Sequence, residues 1–305
     1  MKNRLKGIVV MEYRYITCDM VKNKLPKRCD RSHKGDFGKL MCICGSKNMP
    51  GAAKFCVSSA LRCGVGIVRA AIPEAIYLSV SSGISECTYI ICENDEFGGI
   101  SLNSLNLILQ SLKECNAVTV GCGMGWTKNT KFLVYNLIKS CTVPMIIDAD
   151  GINVISENID ILKEVTNNLI FTPHIGEAGR LLKVSAEEIK SKKIQYAKKL
   201  AENLGSVVVL KDCETIIADK EGKIFLYSGE NSGMAKGGSG DILSGIMGSF
   251  LAQGLSTIDA AMCAVYIHGE VGKICRKKYS SVSMLPSDLV KNISKVFINF
   301  ENEAI

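Results

Sequence analysis

From Lys39 onward, short apolar runs alternate with longer segments whose apolar residues recur at helical spacing. Leu40 to Cys44 predicts a buried strand, Gly45 to Gly51 a turn, and Ala52 to Arg62 a helix rich in small residues, stopped at Gly64 to Gly66. Ile67 to Ile72 and Thr88 to Cys92 predict further strands, and the leucines of Leu102 to Leu112 a helix. Ala117 to Val120 is a short strand running into Gly121-Cys122-Gly123-Met124-Gly125. Phe132 to Ile138 predicts a helix. Pro144 to Ile147 and Leu169 to Phe171 predict strands that end at Asp148 and at Thr172-Pro173-His174. The charged stretch Ser185 to Leu204 predicts one helix. Val207 to Leu210, Thr215 to Ala218 and Ile224 to Tyr227 predict strands, the last two joined by a hairpin turn at Asp219 to Gly222. After Asn231 the character is helical to the end. This alternation predicts an α/β fold with a mainly parallel sheet covered on both faces. Residues 1–38 are polar and lack clear periodicity, and no repeat or linker divides the rest, so one domain is expected.

Composition narrows the classes. With 305 residues, 47% hydrophobic and 22% charged, the chain is an ordinary globular sequence. Lysine and arginine outnumber aspartate and glutamate by 37 to 30, a net charge of +7 that favours anionic ligands. The basic residues are spread and not interleaved with aromatics, which excludes a nucleic-acid binder; Arg276-Lys277-Lys278 reads as a solvated helix end. The 14 cysteines form no C-x-x-C pair and mostly sit in apolar runs, where a thiol is a small hydrophobe. That usage fits a reducing cytoplasm. No run of 18 apolar residues offers a membrane span, and Ile8 to Met11 is too brief for a signal peptide's apolar core.

The segment with the most chemistry is Asn231 to Asp241, in which Gly237, Gly238 and Gly240 lead into a helix carrying Ile242, Leu243, Ile246, Met247, Phe250 and Leu251. Glycines let backbone N–H groups approach a phosphate, and a helix N-terminus adds positive potential. Asp241 beside that anion site suits either a general base on a hydroxyl or a simple cap of the helix dipole. Lys211 directly follows a strand and fits an anion contact as well as a solvated strand end. His174 follows Thr-Pro at a strand end, where a rigid backbone can aim the ring into a cleft. His268, amid apolar helix neighbours, reads as a hydrogen-bonded structural group. Asp148 and Asp150 suit either Mg²⁺ held through water or capping of the next helix. A dinucleotide fingerprint at Gly121 to Gly125 is excluded, because the required sixth position is Trp126.

Glycine loop and aspartate together look like the G-[TS]-G-D anion-hole motif of the ribokinase-like superfamily. Ala235-Lys-Gly-Gly-Ser-Gly-Asp241 with Leu243 and Gly245 more closely resembles the NAD(P)H-hydrate dehydratase family, the C-terminal half of bacterial bifunctional YjeF-type proteins. His33 to Gly38, Gly45-Ser46 with Met49 to Ala53, Thr172-Pro-His-Ile-Gly-Glu177 and Tyr266-Ile-His-Gly269 match further motifs of that family in order. Two departures stand out. The family's G-P-G-[LM]-G is Gly121-Cys122-Gly123-Met124-Gly125 here, and its K-G is Lys211-Asp212.

The resemblance runs from about Ile16 and implies a leader at 1–15 followed by a single domain at 16–305. It implies a ribokinase-like three-layer αβα fold and an enzyme that restores NADH or NADPH from its S-epimer hydrate, NADHX or NADPHX. ADP or ATP with Mg²⁺ phosphorylates the ring hydroxyl, and phosphate is then eliminated. By motif match, Asp241 is catalytic and contacts substrate together with Ala52, Gly123 and His174. Lys211, Asp212, Cys213, Glu214, Thr215 and Gly240 match the nucleotide-binding positions, and Gly238, Ser239 and Gly240 the anion hole. No direct metal ligand is assigned. The resemblance further implies a homo-oligomer, with a homotetramer expected, and a separate NAD(P)H-hydrate epimerase. A small-molecule hydroxyl kinase would share the glycine loop but not Thr172 to Glu177 or His33 to Gly38. A non-catalytic nucleotide sensor would not need Asp241.

Overall fold

The computed structural model describes residues 12–165 and 168–302. Among the described residues, ten strands form a single sheet: β1 (Arg14–Tyr15), β2 (Lys39–Ile43), β3 (Ile67–Pro73), β4 (Thr88–Cys92), β5 (Ala117–Val120), β6 (Met145–Ile147), β7 (Leu169–Phe171), β8 (Val207–Leu210), β9 (Glu214–Ala218) and β10 (Ile224–Ser228). Their spatial order is β1-β10-β9-β8-β7-β6-β5-β2-β3-β4. Pairing is parallel except where β9 meets β8 and β10. The β9–β10 hairpin turns at Asp219, whose carboxylate accepts the Lys223 N–H at 2.7 Å.

Alternate residues of one strand enter two different cores, the direct result of the two-residue side-chain period. Leu40, Cys42 and Cys44 belong to one cluster, Met41 and Ile43 to the other. The first core is covered by α1 (Cys18–Lys22), α2 (Pro50–Arg62), α3 (Glu74–Ser81), α10 (Ser239–Ala252), α11 (Thr257–Ser283) and α12 (Pro286–Asn302). The second is covered by α4 (Leu105–Leu112), α5 (Lys128–Ser140), α6 (Ala149–Glu157), α7 (Ile175–Leu182), α8 (Ala186–Ser191) and α9 (Lys193–Leu204). The result is the three-layer αβα arrangement. Because both sheet faces are buried, the central strands read as continuous apolar runs. Most of the cysteines are buried in these cores.

Helix α10 is the central support of the loop before it. Ile246, Met247 and Phe250 are essentially fully buried, each contributing roughly 1.5–3 kcal/mol. Gly245 lets α10 sit directly on α2: a Cβ there would lie 2.1 Å from the Cys56 carbonyl oxygen.

The helix expected over Ser185 to Leu204 is two helices, broken at Lys192 (φ −144°, ψ 47°). Ser185 caps the first by accepting the Glu188 N–H at 3.1 Å, and Ser191 ends it by donating to the Glu188 carbonyl at 2.7 Å. Of the expected leader, residues 1–11 lie outside the described residues, while Arg14 and Tyr15 form the edge strand beside β10. Among the described residues, no helix is long and apolar enough to cross a membrane.

Candidate active site

Strands β6, β7 and β8 lie side by side and in parallel, so their carboxyl ends deliver Asp148, Thr172 to His174, and Lys211 to one edge of the sheet. The Lys211 N–H donates to the Pro173 carbonyl at 2.8 Å, and His174 and Lys211 pair as a parallel bridge. Across from them the glycine loop 237–240 enters α10. Together they line a cleft of about 1080 Å³. Its position at the carboxyl ends of the strands is where ligands collect in open α/β sheets.

Asp148 is the hub of this edge. Its side chain is 2% exposed yet fully paired. Oδ1 accepts from Lys211 Nζ at 2.7 Å and from Thr172 Oγ1 at 2.7 Å. Oδ2 accepts from Ser244 Oγ at 2.8 Å and from Cys122 Sγ at 3.6 Å. Burial pushes this carboxyl up, but the Lys211 charge and the donated hydrogen bonds outweigh it and hold it below the usual range. Asp148 is therefore a permanent anion. Although it sits at the N-cap position of α6, its side chain makes no capping bond. Lys211 is pushed down by burial and pulled up more strongly by Asp148 and Glu177, so it stays a cation.

Asp241, in the first turn of α10, has the opposite environment. Burial first, and the Asp148 charge second, push its carboxyl up to about 7. Glu177 is likewise pushed up to about 7, chiefly by burial. Two carboxyls of one cleft are thus poised near neutrality beside one that is always ionised, the separation that lets neighbouring acids take different proton-transfer roles.

His174 caps α7. Its Nδ1 accepts the Gly176 N–H at 2.9 Å and the Glu177 N–H at 3.2 Å, while Glu177 Oε2 accepts the His174 N–H at 2.8 Å. This reciprocal box needs an unprotonated Nδ1. Burial, with Lys211 and Arg180 nearby, lowers the imidazole's pKa accordingly. The ring is half exposed and lines the cleft, with Nε2 3.4 Å from Glu177 Oε1.

The glycine loop is held from both sides. Gly238 adopts φ +105°, and a Cβ there would meet the Phe55 ring at 2.7 Å, so only glycine turns the chain at this point. Lys236 Nζ donates to the carbonyls of Val282 (2.8 Å) and Met284 (2.7 Å), just past a kink in α11 where Ser280 has φ 67°. The Ser239 N–H turns back to the Lys236 carbonyl at 3.2 Å. Ser239 Oγ and His268 Nε2 are buried, line the cleft and have no partner among the described residues. His268, expected to be a hydrogen-bonded structural group, sits against the Ser239 backbone, and burial pushes its imidazole down to about 4.

A family model described as NAD(P)H-hydrate dehydratase matches residues 40–295. This chain belongs to that family. An ADP-dependent (S)-NAD(P)H-hydrate dehydratase of Neisseria meningitidis is 31% identical over 254 residues, covering 82% of this chain and 81% of that protein. The crystal structure of an ADP/ATP-dependent NAD(P)H-hydrate dehydratase from Bacillus subtilis, co-crystallised with ATP and Mg²⁺, superposes with TM-score 0.81 at 27% identity, covering 95% of this chain and all of that one. A ribokinase-like superfamily protein from Enterococcus faecalis shares the fold (TM-score 0.82, 23% identity, 97% and 99% coverage). The chain spans about half the length of the curated bifunctional NAD(P)H-hydrate repair enzymes it matches.

As a dehydratase-family member, the chain brings most of its motif residues to one place. Asp241, His174, Lys211, Asp212, Cys213, Thr215, Gly238, Ser239 and Gly240 line the cleft. Glu214 begins β9 and is not among its lining residues. Asp212 does not leave an uncompensated acid there, because Lys193 Nζ holds its Oδ2 at 2.9 Å. Ala52 and Gly123 lie outside the cleft's lining but against each other: a Cβ on Gly123 would come within 2.5 Å of the Ala52 Cβ. Gly121, at φ +117°, passes so close to α6 that a Cβ would lie 1.9 Å from the Asp148 carbonyl oxygen. Asp150 accepts the Gly125 N–H at 2.7 Å. Neither Asp148 nor Asp150 is a bare carboxylate, Asp150 also facing Asn153 Nδ2 at 3.5 Å. Sequence reasoning missed Thr172, Glu177 and Ser244 as working parts of this edge.

Proposed function

We propose that this chain dehydrates the S-epimer of hydrated NADH or NADPH, consuming ADP or ATP. The observation that carries the reading is Asp241: a carboxyl poised near 7, at the junction of a cleft-lining glycine loop and a helix N-terminus, beside the Lys211 cation. The Neisseria and Bacillus relatives named for this activity support it.

Asp241 accepts the proton of the ring hydroxyl as that oxygen takes the terminal phosphoryl group of the nucleotide. The new phosphate ester then breaks its C–O bond, phosphate leaves with the electron pair and takes up the neighbouring ring proton, and the ring double bond is restored. One hydrate and one ATP give one reduced dinucleotide, one ADP, one hydrogen phosphate and the proton taken by Asp241. First-turn amides of α10, with Gly238 and Gly240 around them, favour the transferring phosphate, and Lys211 supplies a fixed positive charge. Mg²⁺ would neutralise the phosphate oxygens. His174 and Glu177 orient the substrate side, with Ala52 and Gly123 along the dinucleotide. Lys211 to Thr215 and Gly240 contact the nucleotide. We also infer a cytoplasmic homo-oligomer, with epimerisation supplied by a separate NAD(P)H-hydrate epimerase.

The test incubates the protein with hydrated NADH, Mg²⁺ and ADP or ATP, and follows NADH absorbance together with phosphate. Recovery that needs the nucleotide and matches phosphate release supports the reading. Recovery without nucleotide overturns it. A phosphorylated product that accumulates without NADH points instead to a small-molecule hydroxyl kinase, which would use the same loop and base.

A further inference from the structure

The loop after β5 carries a thiol where the related motif has a proline. Cys122 is fully buried, and its Sγ and the carboxylate oxygens of Asp148 and Asp241 all lie within 4.8 Å of one another. The thiol donates to Asp148 Oδ2 at 3.6 Å and has the Asp241 carboxylate within 4.8 Å. Cys56, from α2, is a further buried thiol neighbouring it, with Cys42 and Cys44 beside Cys56. A thiol offers one weakly donated proton and one weakly accepting sulfur. Two carboxylates within reach therefore compete for the one Cys122 proton.

The competition is unequal. Asp148 already receives an ammonium and two hydroxyls at 2.7–2.8 Å, and a long S–H contact adds little to it. Asp241 is the carboxyl for which one more donor matters. The groups facing it are Asp148 and Asp150 at the start of α6, Lys211 after β8, Cys44 after β2 and Cys122 after β5. Burial keeps the Cys122 thiol protonated and neutral, so it remains a donor across the working pH range.

We propose that Cys122 is a positioning residue for Asp241, its S–H proton holding the carboxylate toward the reacting hydroxyl and favouring the ionised, proton-accepting form. The proposal rests on Asp241 being the base. A proline could fix the turn but could not donate, so this chain replaces a purely conformational device with one that also acts on the base. Cys122 does not touch substrate in this role; it acts through Asp241.

Two measurements on the full chain test it: the Asp241 carboxyl titration, followed by carbon-13 NMR and assigned with Asp241→Asn, and the pH profile of kcat. In Cys122→Ala, and in Cys122→Val, which fills the volume without donating, the carboxyl midpoint should rise by about 0.5–1 pH unit, the size of one lost hydrogen bond. Cys122→Ser should return it to the native value or below. The acidic limb of kcat should move with it, giving a three- to tenfold loss of rate at about pH 6 in the Ala and Val variants. An unchanged midpoint in both apolar variants overturns the proposal, as does a Ser variant that titrates like Ala. A carboxyl that moves while the kcat limb stays put supports the placement of Cys122 and removes Asp241 as the base, which separates the two failures.

Discussion

Replacing Asp241 with asparagine separates its catalytic burden from its folding burden. A carboxyl raised from 3.8 to about 7 by burial and the Asp148 charge is costly to ionise where it sits. The shift corresponds to about 4 kcal/mol at full burial, and partial solvent contact in the cleft reduces it to about 2–3 kcal/mol. Because the folded midpoint lies above the unfolded one, the folded state binds the extra proton between about pH 4 and 7. Stability therefore falls as pH rises through that window, and the full penalty is present above pH 7. Asp241→Asn removes the ionisation but keeps the size and hydrogen-bonding capacity. Its thermal midpoint should exceed that of the native chain at pH 8, and the gap should shrink by more than half at pH 5. Turnover should fall by about 10²–10⁴, the usual contribution of a general base, while nucleotide affinity holds or improves. Thermal unfolding at the two pH values, saturating kinetics and nucleotide titration read all three. A gap that does not depend on pH would refute the electrostatic reasoning, and near-native turnover would reduce Asp241 to a helix cap.

Lys211→Met leaves Asp148 buried without its cation, so it should lose about 3–5 kcal/mol by denaturant unfolding as well as nucleotide affinity; a loss under 1 kcal/mol would dismiss the hub. His174→Ala should raise the substrate KM more than the nucleotide Kd and also remove a cap worth about 1 kcal/mol, whereas His174→Asn should recover the stability but not the KM. Equal recovery of both would leave the imidazole a purely structural cap. Gly121→Ala places a methyl group 1.9 Å from a backbone oxygen at a left-handed φ, so it should cost 3 kcal/mol or more, on the order of the largest single-residue effects, or prevent folding. A soluble variant with an unchanged midpoint would show that the loop is free to move.

The apolar runs located most of the strands and the glycine loop located α10, because these features are local. Helices α3, α6 and α7 left no comparable trace: each is eight or nine residues long and starts within four residues of the end of a strand, so its apolar positions run on from those of the strand. Lys192 was hidden inside a charged stretch whose composition favours helix on both sides of the break. Asp148 suited a cap or a Mg²⁺ role equally well, and the partners that decide otherwise, Cys122, Thr172, Lys211 and Ser244, come from four separate segments. Only the register of β5 to β8 and the seating of α10 bring them within 4 Å, so no spacing rule could have found them. Glu177 was quoted within a motif, but its perturbed carboxyl depends on burial of the first turn of α7, which is a property of packing.

Lys236 is a lysine inside a glycine loop. Its ammonium donates to two carbonyls at the end of α11. The loop is thereby stapled before any ligand arrives, and its conformational entropy is surrendered when the chain folds. A ligand that binds a loop already fixed in this way would lose less of its interaction energy to ordering the protein. The same staple ties the loop before α10 to the kink at Ser280, so a strain applied to the far end of α11 would be felt in the loop that leads to Asp241.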